Sequence, residues 1–102
     1  MLLGFSCGRA GAESGRERGA ALFQQKGCAH CHAINGAGGH KGPDLSAVGT
    51  RLKPAAIQRQ IVSGGLAMPA FGEALSPGET KDLVSFLHTC RKNLAPAGVP
   101  QL

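Results

Sequence analysis

The chain has 102 residues, which is enough for one small domain and leaves little room for a second. Its only aromatic residues are four Phe, so the hydrophobic core is small. A core of this size needs added stabilisation from a disulfide, a metal or a prosthetic group. The net charge is +5, but no aromatic residues interleave with the basic ones, which argues against nucleic-acid binding.

The N-terminal 17 residues are interpreted as a flexible leader, or as the remnant of a targeting or anchor segment. Residues 1–5 are apolar but too short for a signal sequence or a membrane span. Residues 6–17 are rich in Gly, Arg, Ser and Glu. No other stretch approaches transmembrane length. We therefore predict a leader at 1–17, a folded domain at 18–93 and a frayed tail at 94–102.

Two helices are predicted in the first two thirds of the domain. The first runs from about Gly19 to Lys26, and Gly27 ends it. Residues 34–44 are rich in glycine and predict a loop. The second helix runs over Pro54–Ser63, because Pro suits the first helical position and a pair of glycines follows its end.

The last helix is predicted from its capping pattern. Ser76 is a suitable N-cap residue, and Glu79 completes a Ser-x-x-Glu capping box. An apolar stripe then follows at helical spacing, made of Leu83, Val84, Phe86 and Leu87. Since no segment alternates in the manner of a strand, the predicted fold class is all-α.

The pentapeptide Cys28-Ala29-His30-Cys31-His32 has the Cys-x-x-Cys-His pattern that attaches c-type haem. Two cysteines three apart on a helical turn point their sulfurs to the same side, where each can form a thioether with one haem vinyl group. The next residue, His32, is then placed beneath the iron as an axial ligand. The motif predicts one covalently bound haem c.

Three other interpretations of this pentapeptide remain open. A thioredoxin-like redox pair needs a preceding strand in a βαβ unit, which the sequence does not show. A zinc site could add Cys90 or His88, but the sequence lacks a second close-spaced pair of ligands. The pattern could also be a chance match in a loop or helix.

From about Gly19 to Arg91 the chain resembles the single-haem (class I) cytochrome c family. The resemblance rests on the haem motif, on Gly42-Pro43-Asp44-Leu45 and on the Met68-Pro69 pair before the last helix. It implies that the Pro43 carbonyl accepts the Nδ1 hydrogen of His32 and that Leu45 packs on the haem.

The same resemblance implies that Met68 is the distal iron ligand and that Phe71 is an apolar haem contact. The alternatives are His40 or His88 as the distal ligand, with Met68 as an adaptable core residue. The chain has no Trp or Tyr to bind the haem propionates, and we assign Arg51 to that role.

The resemblance also implies a small cytochrome c fold, with three to four short helices wrapped around one covalent haem. In such folds the terminal helices cross at a close contact between a glycine and aromatic residues. Gly19 and Phe23 of the first helix, and Phe86 of the last, occupy the matching places.

The predicted function is one-electron transfer without enzymatic activity, because a His/Met pair leaves the iron no open position. One alternative is a haem subunit or module of a larger redox complex, such as an oxidase or a dehydrogenase. The other is a haem enzyme or gas sensor with an open distal site. We expect a monomer whose scattered basic residues form either a solvated surface or a docking face for acidic redox partners.

Two cysteines, Cys7 and Cys90, lie outside the haem motif. Cys7 has three interpretations: an inert residue of the leader, the disulfide partner of Cys90, or a lipid-attachment site. Cys90 is otherwise a small buried apolar residue. Because the family's haem is attached after export, we expect the bacterial periplasm, with or without a membrane tether.

Overall fold

The computed structural model describes Cys7 and residues 15–65 and 67–91. Along these residues lie four α-helices, one 3-10 turn and one hairpin. Their bounds are α1 (Gly15–Gln25), the 3-10 turn (Cys28–His30), β1 (Ala33–Ile34), β2 (Ala37–Gly38), α2 (Val48–Arg51), α3 (Pro54–Ser63) and α4 (Pro77–His88). The all-α prediction is confirmed, since each strand of the hairpin is only two residues long.

Helices α1 and α4 cross at Gly19, and this crossing forms the centre of the core. A Cβ atom on Gly19 would lie 2.6 Å from the Cβ of Phe86 and would overlap the Asp82 carbonyl. The missing side chain lets the Phe23 and Phe86 rings pack, with centroids 5.9 Å apart and planes tilted by 59°. Both rings are fully buried. The contact implied by the resemblance is therefore present.

Helix α1 begins at Gly15, four residues before the predicted start. Residues 15–17 belong to the predicted leader, but this first turn of the helix packs on α4. Arg18 donates from Nε to Oδ2 of Asp82 at 2.9 Å and from Nη2 to Oδ1 at 3.3 Å. The predicted boundary between 17 and 18 falls inside α1. The division into leader, domain and tail stays a prediction, and most of the leader and all of the tail lie outside the described residues.

Helix α3 has the predicted bounds, and α4 begins at the predicted cap. Ser76 Oγ accepts from the Glu79 amide at 3.1 Å, and Glu79 Oε1 accepts from the Ser76 amide at 2.9 Å. This capping box satisfies two backbone donors at the start of α4. Helix α3 ends at Gly64, whose φ of 67° is a left-handed conformation that glycine adopts without strain.

The hairpin and α2 were not predicted. Asn35 and Gly36 form the two-residue turn between β1 and β2 with φ values of 52° and 88°, as in the tightest hairpins. Helix α2 has a single turn and leaves no readable periodicity. It docks on the end of α4, where the Gly49 amide donates to the Cys90 carbonyl at 2.8 Å.

Cys7 and Cys90 form a disulfide that ties the segment before α1 to the end of α4. Their Cα atoms are 4.7 Å apart, and Cys90 is completely buried. Cys7 is therefore the disulfide partner of Cys90 in this structure, which is one of its three predicted interpretations. The bond occupies the Cys7 sulfur, so it excludes a lipid thioether on that sulfur in this form of the chain. Among the helices in the described segments, none has the length and apolar character that a membrane crossing needs.

We expect Cys7→Ser to lower the free energy of unfolding by about 2–4 kcal/mol, because the bridge closes a loop of 83 residues in the unfolded chain. Urea unfolding of the wild type and the variant measures the difference. With dithiothreitol in both samples the difference should vanish. Equal stability of the two proteins under oxidising conditions would show that the bridge contributes nothing.

Candidate haem site

Cys28 and Cys31 are brought together by the 3-10 turn that follows α1. Gly27, with φ 84°, redirects the chain at the end of the helix. The amides of Cys31 and His32 then both donate to the Cys28 carbonyl, at 3.2 and 3.1 Å. Both cysteines are free thiols and half-buried. The turn therefore presents two sulfurs and one imidazole from five consecutive residues.

The Cys28 thiol is held in its protonated form. Burial raises the pKa of this thiol, a backbone hydrogen bond lowers it, and the neighbouring Cys31 raises it further. The net effect is a pKa above the ordinary value of 9.0. At neutral pH the structure therefore carries a neutral S–H group here rather than a buried thiolate.

The loop from Gly39 to Leu45 wraps around this turn through backbone hydrogen bonds. The Gly39 amide donates to the Ala29 carbonyl at 2.9 Å, and the Gly42 amide donates to the Cys31 carbonyl at 2.7 Å. The Leu45 amide donates to the Ala33 carbonyl at 2.9 Å. These bonds bring the Gly-Pro-x-Leu segment against the haem motif.

His32 is held by this loop at one ring nitrogen. Its Nδ1 lies 2.8 Å from the Pro43 carbonyl oxygen, which is the contact implied by the resemblance. Because a carbonyl only accepts, Nδ1 carries the hydrogen and Nε2 keeps its lone pair. A Cβ on Gly42 would lie 2.6 Å from Cε1 of the ring, so only glycine lets the loop approach this closely. The contact holds the imidazole in a single tautomer and orientation, as suits a metal ligand.

Met68 lies in a segment that folds back onto the end of α3. The Phe71 and Gly72 amides donate to the Ile61 and Val62 carbonyls at 3.0 and 3.2 Å. Carbonyls in the last turn of a helix lack intrahelical partners, and this segment supplies them. Met68 is half-buried, and Nε2 of Gln60 lies 3.8 Å from its Sδ atom. Its role as an iron ligand stays a prediction.

The predicted apolar contacts, Leu45 and Phe71, are half-buried and pack against the core, as Cys28 does. Arg51 is exposed, and its Nη2 lies 3.4 Å from the Asp44 carbonyl oxygen. The contact is with the same loop that holds His32. The assignment of Arg51 to the propionates stays a prediction.

The rival interpretations find little support among the described residues. Within these segments no three His, Cys, Asp or Glu side chains are grouped to hold a metal ion. Cys90 is not available to a zinc site, since it is disulfide-bonded. The described chain also has no βαβ unit, because its strands form one antiparallel pair. His88 Nε2 lies 3.0 Å from Nη2 of Arg91, and His40 is exposed.

Two residues of the site were missed at the level of sequence. The sequence motif includes Gly42, but it does not show that the absence of a side chain there makes room for the His32 ring. Gln60 was not singled out at all, although it contacts Met68. The sequence offers only a weak signal for Gln60, namely a position four residues before Gly64 and eight before Met68.

The family model described as cytochrome c oxidase, cbb3-type, subunit III, matches residues 15–87. The chain belongs to this family. The resemblance to single-haem cytochromes c is thereby confirmed. A cytochrome c domain implies covalent haem c, haem-based electron transfer and redox protein partners.

A structural comparison supports the fold. The c-type cytochrome SorU from Sinorhizobium meliloti matches with a TM-score of 0.64 and 23% sequence identity. The match covers 76% of this chain and 91% of SorU. No match was found among the curated proteins. At this identity the likeness shows a shared small cytochrome fold.

The residues present fit a haem. Two free thiols lie on one turn, and the neighbouring imidazole has its Nδ1 hydrogen bound by Pro43, which in the neutral ring leaves Nε2 for a metal. Half-buried apolar side chains adjoin the same core. The two thiols can each bond to a haem vinyl group, and the imidazole is a ligand that suits haem iron.

We expect Gly42→Ala to displace the His32 ring from the Pro43 carbonyl, because the added Cβ overlaps the imidazole. In the haem-loaded ferrous protein, NMR should show the His32 Nδ1 proton exchanging about tenfold faster or more, as expected for the loss of one hydrogen bond. Gly78→Ala is the matched control, since the nearest atom to its Cβ is Ser76 Oγ at 3.9 Å. Unchanged exchange in Gly42→Ala would show that the ring is not held in this way.

Proposed function

We propose that the chain is a one-electron carrier with one haem, attached through Cys28 and Cys31 and ligated by His32 and Met68. The observation that carries this proposal is the His32 Nδ1 contact with the Pro43 carbonyl at 2.8 Å. In the neutral ring this leaves Nε2 as a lone-pair donor, in a motif whose two cysteines are free thiols. No structural role of a histidine requires that combination. Membership of a cytochrome family supports it independently.

Attachment requires two reduced cysteines, and the disulfide pattern provides them. Cys7 pairs with Cys90, which leaves Cys28 and Cys31 as thiols. Each thiol adds across one vinyl C=C bond: its sulfur forms the new C–S bond, and its hydrogen goes to the other vinyl carbon. The addition is balanced without any oxidant or reductant.

The side chains of the site each have a defined task in this proposal. When bound, haem supplies a one-electron couple between ferrous and ferric iron. His32 would ligate the iron, and its hydrogen bond to Pro43 prevents the ring from rotating. Met68 would be the second protein ligand, and its soft thioether would favour the ferrous state relative to a second histidine. Leu45 and Phe71 exclude water from the site.

A non-enzymatic role follows from this ligand set. With His32 and Met68 both bound to the metal, no position would remain for a substrate or for O₂. The fold also favours electron transfer, because hydrogen-bonded loops hold the ligands through a change of one electron. A haem enzyme or gas sensor requires an open distal position, which Met68 fills in this proposal.

A second candidate function is that of a haem subunit in a larger redox complex. Its support is the matching family, whose description names an oxidase subunit. Electron transfer remains the chemistry, but the partner is then permanent. Size-exclusion chromatography with candidate partners separates the two cases, since a free carrier elutes as a monomer and a subunit elutes with its complex.

We infer partners with acidic docking surfaces and a periplasmic location in a bacterium. The net charge of +5 and the exposed Lys41, Arg51 and Lys53 support a basic docking surface. The Cys7–Cys90 disulfide supports an oxidising compartment, because such bonds persist outside the reducing cytosol.

We expect Met68→Ala to open the iron to carbon monoxide, because alanine cannot reach the metal. The ferrous wild type should show a low-spin c-type spectrum and exclude the gas, whereas the variant should bind one equivalent. Absorption spectra under carbon monoxide measure both.

Val62→Ala is the control, since it shortens an exposed apolar side chain of α3. It should behave as the wild type does. Carbon monoxide binding by the wild type would favour the open-site alternative. A Met68→Ala protein that still excludes the gas would assign the distal position to another residue.

A further inference from the structure

The side-chain amide of Gln60 lies between the end of α3 and the Met68 sulfur. Its Nε2 is 3.2 Å from the Gly64 carbonyl oxygen and 3.8 Å from Met68 Sδ. Both of these atoms accept hydrogen bonds and neither donates them. The amide must therefore present its NH₂ group here, and its two hydrogens serve the two acceptors.

The backbone holds Gln60 and Met68 in this arrangement. The Gly64 amide donates to the Gln60 carbonyl at 2.8 Å, which closes the last turn of α3. Gly65 and Met68 then exchange two backbone hydrogen bonds, at 3.0 and 2.7 Å. A Cβ on Gly64 would lie 2.6 Å from the Met68 carbonyl oxygen, so the turn is closely packed. The backbone positions of both residues are therefore set by the chain around them.

The thioether itself has no such restraint. Methionine has three rotatable side-chain bonds, so its sulfur can adopt many orientations unless a contact restrains it. A thioether sulfur carries two lone pairs, and either one can point toward a metal. A hydrogen bond donated to one lone pair leaves only the other for ligation.

We propose that Gln60 is a positioning residue for Met68: its amide binds one lone pair of the thioether and directs the other toward the iron. This inference rests on the proposed ligation of haem iron by Met68. The donated hydrogen bond also withdraws electron density from the sulfur. A weaker sulfur donor stabilises ferric iron less, so the bond shifts the redox equilibrium toward the ferrous form.

The test is Gln60→Leu in the haem-loaded protein, because leucine keeps a helix-forming side chain of similar length and removes both donors. We expect the redox equilibrium with a reference dye to shift about threefold to tenfold toward the ferric form, as the loss of one hydrogen bond predicts. The NMR signal of the Met68 methyl group should also move or broaden, because the sulfur is no longer confined to one orientation.

Gln58→Leu is the matched control, since it makes the same change at an exposed position of the same helix. Urea unfolding of both variants corrects for any loss of stability. The inference is wrong if Gln60→Leu and Gln58→Leu have the same redox equilibrium with the dye and the same NMR signal of the Met68 methyl group. The absorption spectrum of the ferric wild type shows separately whether Met68 ligates the iron, as the proposed function requires. Without the charge-transfer band of a methionine-ligated haem, Met68 ligation itself is refuted.

Discussion

The contact between His32 Nδ1 and the Pro43 carbonyl is the constraint on which the site depends. It fixes which ring nitrogen keeps a lone pair, and it ties the haem motif to the loop that follows. The loop can make this contact only because Gly42 has no side chain and because its amide is bound to Cys31. This hydrogen bond thus couples the orientation of the His32 ring to the backbone path of the loop that contains Gly42 and Pro43.

The frame around the site is built from the two ends of the domain. Helices α1 and α4 cross at Gly19, where Phe23 and Phe86 fill the core, and the Cys7–Cys90 bridge ties the chain before α1 to the end of α4. This frame carries two separate segments: the 3-10 turn before His32 follows α1, and the Met68 segment lies between α3 and α4. A small domain with few aromatic residues gains rigidity from such covalent and close-packed ties.

Local signals in the sequence predicted the parts of the fold that have local causes. The proline at the start of α3 and the capping box at Ser76 gave correct helix starts, because each acts within one helical turn. The start of α1 was placed four residues late, since its polar first turn is held by Asp82, which is 64 residues from Arg18. Contacts between distant residues, such as Gln60 with Met68, leave no comparable pattern in the sequence.

The central claim is that Cys28 and Cys31 bind a haem covalently, and acid–acetone extraction followed by a pyridine haemochrome spectrum tests it most directly. The protein should be produced together with a haem-attachment system. The account predicts that the pigment stays with the polypeptide and that its spectrum is that of a haem with two thioether bonds. Pigment that passes into the solvent, or a colourless polypeptide, would contradict it.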